Sequence, residues 1–363
     1  VLLVARVLVA PQAGVGDDLR DGPHRLVSSL EEVQERRCVC HVGLVVLVEV
    51  GDGVLGLAEG RLPLLVGGVD RGEIPGVGVV EVTDTAQMIV GGTLNIGQVG
   101  TGSVRVQAGA SSNVEGQFNA ITVGGSAVAS RGHLYVDGAN SDVETRSLTI
   151  IDGTVNVTDG GRLEQTVTGG SLLVGQSGAA SPTALTVEGL GSQLIWLDSI
   201  EVGDTGSGPA VLTVRDGGSL VTDANLLLLN DDSTVDETHS IDNATIQANT
   251  LQAAPSDGSG ASTDGLDVFD GASATFGLTV IQPFFDQFAL NVDDVGTSFT
   301  TGQLSLVPNT SGFIFATFSN GATVDVVDQL LGQARSGEFD IDPGAQVTVQ
   351  ANATVNAKLI DLE

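Results

Sequence analysis

Cysteine is nearly missing from this chain of 363 residues: Cys38 and Cys40 are the only two. A disulfide framework is thereby excluded, since a bridge between residues i and i+2 would be strained. Aromatic residues make up 4%, with one Trp, one Tyr and one Met. An ordinary globular core leans on such side chains, so their scarcity points to thin stacked layers of Val, Leu, Ile and Ala. Basic residues are few, 14 Lys and Arg against 45 Asp and Glu, and the net charge is −31. That balance excludes nucleic acid as a partner, because nothing here could neutralise phosphates, and it opposes docking on anionic lipid. No apolar run reaches the roughly 20 residues of a membrane-spanning helix, so the region given is not expected to span a membrane. The opening VLLVARVLVAPQA (1–13) has some look of a signal-peptide core. Arg6 interrupts it and no basic segment precedes it, so it is not read as one. Metalloprotease H-E-x-x-H, P-loop and nucleophile-elbow sequences are also missing.

What is abundant is Gly, 50 residues, and a phrase of about ten residues that keeps returning. It reads TLNIGQVGTG (93–102), AITVGGSAVA (120–129), SLTIIDGTVN (147–156), SLLVGQSGAA (171–180) and SIEVGDTGSG (199–208). Its lead residues are Leu94, Ile121, Leu148, Leu172 and Ile200, at steps of 27, 27, 24 and 28. A fixed period in the twenties is the mark of a solenoid. Each repeat adds an apolar-x-apolar segment ending in Val, as in Val104/Val106, Leu134/Val136, Val155/Val157, Leu185/Val187 and Leu212/Val214. A third, shorter segment is marked by Val114, Val143, Leu163, Leu194 and Leu220.

Alternation of period two over three to five residues, with Gly, Asp and Asn between, denotes short strands and sharp bends. Gly and Asx at the bends supply the positive φ that such corners need. Three strands and three bends per roughly 26 residues make one coil of a right-handed parallel β-helix, an all-β solenoid. Leu94, Ile121, Leu148, Leu172 and Ile200 should then form one internal ladder. Thr93, Asn95, Thr122, Thr149 and Glu201 should face water. An antiparallel sandwich also suits short strands, but does not explain the same three-part order five times in register.

Along the chain, 1–82 stands apart: residues 1–80 contain no Thr, Asn, Phe, Lys, Tyr, Trp or Met. This block is expected to be either a shifted or non-coding frame or a poorly ordered extension. Regular repeats are expected over 83–253, a sixth lead phrase opening at Leu226, then a loop or linker at 254–264. Less regular coils follow over 265–363, with the chain stopping in mid-strand, so that the natural product is expected to be longer. All but one of the 11 Phe fall after residue 260, and Phe313, Phe315 and Phe318 are expected to form an aromatic ladder.

The repeats resemble those of autotransporter (type V secretion) passenger domains and PEP-CTERM-sorted exoproteins. The best matches are SLLVGQSGAASPTALTVEGLGSQL (171–194) and SIEVGDTGSGPAVLTVRDGGSLV (199–221), with VEGLGSQL (187–194) similar to a V-x-G-x-G-S-x-L element of those repeats. The resemblance covers roughly 90–230. It implies an exported, extracellular β-helix, often presented on an outer membrane. A matrix, glycan or cell-surface ligand is the partner such a rod would contact.

Candidate chemistry is sparse. Clustered carboxylates could serve a polysaccharide-cleaving β-helix enzyme, the candidates being Asp231–Asp232, Asp293–Asp294 and Asp264/Asp267/Asp270. These lie in Gly/Ser/Thr-rich stretches, where acids are simply soluble. A uronate lyase would also need basic groups, and 91–363 hold six Arg and Lys358. Glu338, Asp340 and Asp342 offer alternating carboxylates, and DGSGASTDGLD (257–267) is an acidic loop; neither matches a calcium-loop motif, so weak, unspecific Ca²⁺ binding is all that is expected. Cys38, Cys40 and His41 have metal-ligand types without metal-ligand spacing, and His24 is the nearest fourth candidate. His133 and His239 are isolated and read as surface residues. No catalytic, cofactor or metal residue is assigned.

Overall fold

The computed structural model describes residues 6–7, 38–40, 46–47, 64–66 and 76–362, except 83–86, 99, 108–110, 126–129, 176–181, 204–208, 230–237, 255–262, 285–286, 310 and 332. Among the described residues the chain is all-β, without a helix, and winds into a parallel β-helix. Strands cycle through three faces, here named lead, middle and third. One coil runs Ser147–Ile150, Gly153–Thr158, Arg162–Gln165, and the next Leu172–Val174, Thr183–Glu188, Gln193–Trp196. Burial alternates strictly along them, so each strand sends one set of side chains inward and the other to solvent.

The lead residues stack as expected. Leu94 pairs with Ile121, and the ladder continues through Leu148, Leu172, Ile200, Leu226 and Leu251. It then passes Thr279, Leu304, Phe339 and Ile360 without a break in register. Each fully buried Leu or Ile in such a column stabilises by about 2 kcal/mol. Thr279 is the polar exception; its hydroxyl donates to the buried Thr301 hydroxyl at 3.1 Å. Asn95, Thr122, Thr149 and Glu201 hold the alternate, outward positions, with Thr93 in register with Ala120.

The middle face carries two inner columns. One contains Val104, Leu134, Val155, Leu185 and Leu212, the other Val106, Val136, Val157, Val187 and Val214. The next residue after Leu212 in the first column is His239, followed by Leu266. His239 is 0% exposed, so it is a core residue and not the surface one its isolation in sequence suggested. His133 is half-buried on the outer side of the same face. On the third face Val143, Leu163, Leu194 and Leu220 align, but Val114 does not belong with them. Val143 pairs with Ser112, and Val114 pairs with Val90.

The C-terminal aromatics also depart from expectation. Phe318 points inward, packing 6.5 Å from Phe339, whereas Phe313 and Phe315 are exposed on the outer side. Their spacing decides this: 313 and 315 share a parity that 318 does not, and Ile314, Ala316 and Phe318 fill the interior. Phe276 and Phe299 form a second inner pair, with ring centres 5.4 Å apart.

The turns from middle to third face explain the VEGLGSQL phrase. Gly189 and Gly191 take φ of 91° and 85°, which Cβ-bearing residues rarely adopt. The Ser192 hydroxyl donates to Glu188 O at 2.6 Å and accepts from Gly160 N of the preceding coil at 3.0 Å, while Val187 and Leu194 are buried on either side. Asp159, Asp216, Asp270 and Asn320 hold positive φ at the matching corner of other coils. The phrase is therefore a corner, closing one coil and stapling it to its neighbour.

Of the loop expected at 254–264, residues 255–262 lie outside the described residues, and Thr263 and Asp264 already belong to the next strand. Thr250–Ala253 lies on the lead face and Thr263–Phe269 on the middle face of the same coil, with parallel pairing on both sides. A hairpin, Gln329–Leu330 with Gln333–Ala334, is inserted before Glu338–Ile341 and lengthens that coil. Toward the N-terminus, Gly76–Val82 pairs residue for residue with Gly100–Val106, and Cys38–Cys40 pairs with Val80–Val82. The remainder of 1–75 apart from the short pieces above lies outside the described residues.

Candidate functional site

The outer side of the middle face is a set of straight rows, because every coil repeats the same register. One row is Arg105, Tyr135, Asn156, Thr186 and Thr213; the next is Gln107, Asp137, Thr158, Glu188 and Arg215. In the first row the larger groups, Arg105 and Tyr135, stand at one end. Arg105 and Tyr135, in register on adjacent coils, place the guanidinium 4.9 Å from the ring centre, close enough for a cation–π contact. His133 stacks beside the same ring at 6.2 Å, and its Nδ1 lies 2.9 Å from Thr154 Oγ1. Burial lowers the pKa of His133, Arg131 adds to this, and Asp152 opposes it, so the ring is held toward its neutral form. Between these residues and the next corner lies an open groove of about 320 Å³ lined by Arg105, Tyr135, Asp137, Thr158, Asp159 and Glu188. Thr158 donates to Asp137 Oδ1 at 2.9 Å, and Arg215 donates to Glu188 at 2.7 Å.

A second cluster sits on the outer side of the third face. Asp142, Glu144 and Glu164 bring carboxylate oxygens within 4.8 Å of one another, the one such group of three among the described residues. Register places them together, since Asp142 and Glu144 stand opposite Arg162 and Glu164 on the next coil. Burial raises the pKa of Asp142, the Glu164 charge raises it further, and Arg162 and a hydrogen bond with Glu144 offset part of this. Arg162 is ion-paired with Glu164. The donor set is of the hard-oxygen kind that suits Ca²⁺, yet Arg162 already neutralises one of its members.

Around the corner, Gln165 is buried and fully used. Its Nε2 lies 2.9, 2.8 and 2.7 Å from Arg146 O, Gly170 O and Asp198 Oδ2, three acceptors sharing its two hydrogens, and its Oε1 accepts from Leu197 N and Asp198 N, both at 2.9 Å. Burial would raise the pKa of Asp198, but hydrogen bonds from Gly169 N, Gln165 and Gly170 N outweigh it and lower the value. This polar knot ties a long corner in place of apolar packing.

Among the described residues, the carboxylates singled out in sequence do not converge on one site. Asp293 accepts from Ser319 Oγ at 2.6 Å and Asn320 Nδ2 at 2.7 Å, bonds that lower its pKa and hold a turn; Asp294 takes φ of 77° beside it. Asp264 and Asp267 lie on one strand and face opposite ways, with Asp264 4% exposed and Asp267 outside, accepting from Asn291 at 2.8 Å. Asp270 is in the following turn. Alternation places Glu338 and Asp340 outward around the inward Phe339; burial raises the Asp340 pKa, with Asp342 and Asp361 adding to it. Asp231, Asp232, His24, His41 and the side chains of Cys38 and Cys40 lie outside the described residues.

Sequence reading missed both the Arg105–Tyr135 groove and the Asp142–Glu144–Glu164 cluster. Their members lie up to 83 residues apart in the groove (Arg105 to Glu188) and up to 22 in the cluster (Asp142 to Glu164), and only the coil register makes them neighbours. The available signal was the alignment of repeats itself, carried to the outward positions. Fold and groove together define a β-solenoid with a chemically distinct stretch on the outer side of its middle face. No protein-family model, no curated protein and no solved structure matches the chain.

Proposed function

We propose that this is an exported structural or adhesive surface protein, a rod of autotransporter-passenger type whose outer face meets a matrix, glycan or cell-surface ligand. The observation that carries this reading is the single ladder from Leu94 to Ile360, unbroken in register across all its coils. Each coil contacts mainly its neighbours, so the architecture extends a surface rather than enclosing a chamber. Strong acidity keeps that surface soluble. Immunodetection on intact cells of the source organism, with and without lysis, tests it. Signal on intact cells and loss of attachment to an immobilised matrix in a deletion strain are expected; signal only after lysis would overturn it.

One observation favours a second reading, a carbohydrate-active enzyme. Asp142, Glu144 and Glu164 bring carboxylate oxygens within 4.8 Å of one another, and a close group of carboxylates is the raw material of acid–base cleavage. Incubation of purified protein with polysaccharides, followed by a reducing-end assay, separates the two. Cleavage that Glu144→Gln abolishes would establish the enzyme.

A further inference from the structure

We infer that the groove between Arg105 and Glu188 binds a neutral, hydroxyl-rich glycan lying along the solenoid axis. The inference deepens the adhesive reading and rests on it.

The groove crosses four successive coils: Arg105 stands on the first, Tyr135 and Asp137 on the second, Thr158 and Asp159 on the third, and Glu188 on the fourth. At a strand spacing of about 4.8 Å, three steps span roughly 14 Å. A pyranose unit is close to one step in length, so a chain of three or four units would keep pace with the coils and present each with a similar set of hydroxyls. Beyond Tyr135 its row continues with the smaller polar residues Asn156, Thr186 and Thr213.

The chemistry of the lining selects the ligand. Carboxylates accept hydrogen bonds from paired hydroxyls, a guanidinium donates in a planar fork, and an aromatic ring packs on the C–H face of a sugar. All three kinds of group converge here, in a chain whose sole Tyr is Tyr135. A polyanionic glycan is disfavoured, since Asp137, Asp159 and Glu188 outnumber Arg105, and Arg215 at the edge is engaged with Glu188. A cation is not the better occupant, because the carboxylates that approach one another closely enough to chelate are those of the Asp142 cluster.

The single tyrosine supplies the test. With ¹³C-labelled tyrosine, the full chain shows one set of ring resonances, which report Tyr135 directly. Cello-, xylo-, manno- and laminari-tetraose are titrated in turn, with tetragalacturonate and tetralysine as charged comparators. At least one neutral tetrasaccharide is expected to shift the ring saturably, with affinity at least tenfold lower in Asp159→Asn and Arg105→Ala. Asn is chosen at 159 because it tolerates the φ of 51° there, so the corner is kept. Silence with all four neutral sugars would overturn the inference, as would tighter binding of tetragalacturonate or tetralysine, or unchanged affinity in both variants. None of those outcomes touches surface exposure on intact cells, which tests the adhesive reading separately.

Discussion

Replacing His239 by Leu, and following unfolding of both proteins by urea from neutral pH down to about 4, isolates the contribution of one buried ring. His239 lies in an inner column between Leu212 and Leu266, and its Nδ1 accepts a hydrogen bond from Leu212 N at 3.1 Å. The neutral ring must therefore carry its proton on Nε2. Adding a second proton puts an N–H against an N–H and a charge into an apolar interior, so burial pushes the pKa from 6.5 down to about 4. The sign follows from linkage. The unfolded chain takes up the proton first, near 6.5, so stability is fully present above that value. It falls as the pH drops from 6.5 to about 4 and is flat below. A difference of that size corresponds to about 3 kcal/mol. The Leu variant loses the Leu212 N–H acceptor at every pH, a constant offset of about 1–3 kcal/mol. The wild type alone is expected to show the additional pH-dependent loss, and carboxylates that titrate in both proteins cancel in the comparison. Parallel decline of the two curves between 6.5 and 4 would refute the reasoning.

Three further outcomes follow from the corners and outer rows. Gly153→Ala places a Cβ 1.8 Å from Gly132 O at φ 142°, and is expected to cost about 3 kcal/mol, read as a lower urea midpoint. Gln165→Leu strands Leu197 N and Asp198 N without their acceptor and is expected to cost about 2–4 kcal/mol in the same measurement; a change below 1 kcal/mol would show that water replaces the amide. Asp142→Asn should raise the neutral-pH unfolding midpoint. Burial and the Glu164 charge raise the Asp142 pKa, so the native state favours the protonated form and loses stability as pH climbs through that raised value; an unchanged or lower midpoint would contradict this.

Much of the architecture was legible in the residues themselves. Leu94, Ile121, Leu148, Leu172 and Ile200 announced their column because period and alternation act locally, and positive φ at the Asp-Gly corners follows from residue type. The same reasoning failed at Val114, which follows by two positions the residue paired with Val143, and at Phe313, which stands on the outward parity of its strand. A strand inverts every side chain when shifted by one residue, and composition cannot say which parity packs.

What the sequence by itself determined is the coil: three short strands, Gly and Asx bends, and an apolar inside. What only the tertiary structure decided is which side chains from different coils become neighbours. His239 became a core residue because the Leu212 column ran through it. Arg105, Tyr135 and Glu188 became one groove because coils stack in register about 4.8 Å apart, a distance at which residues remote in sequence touch.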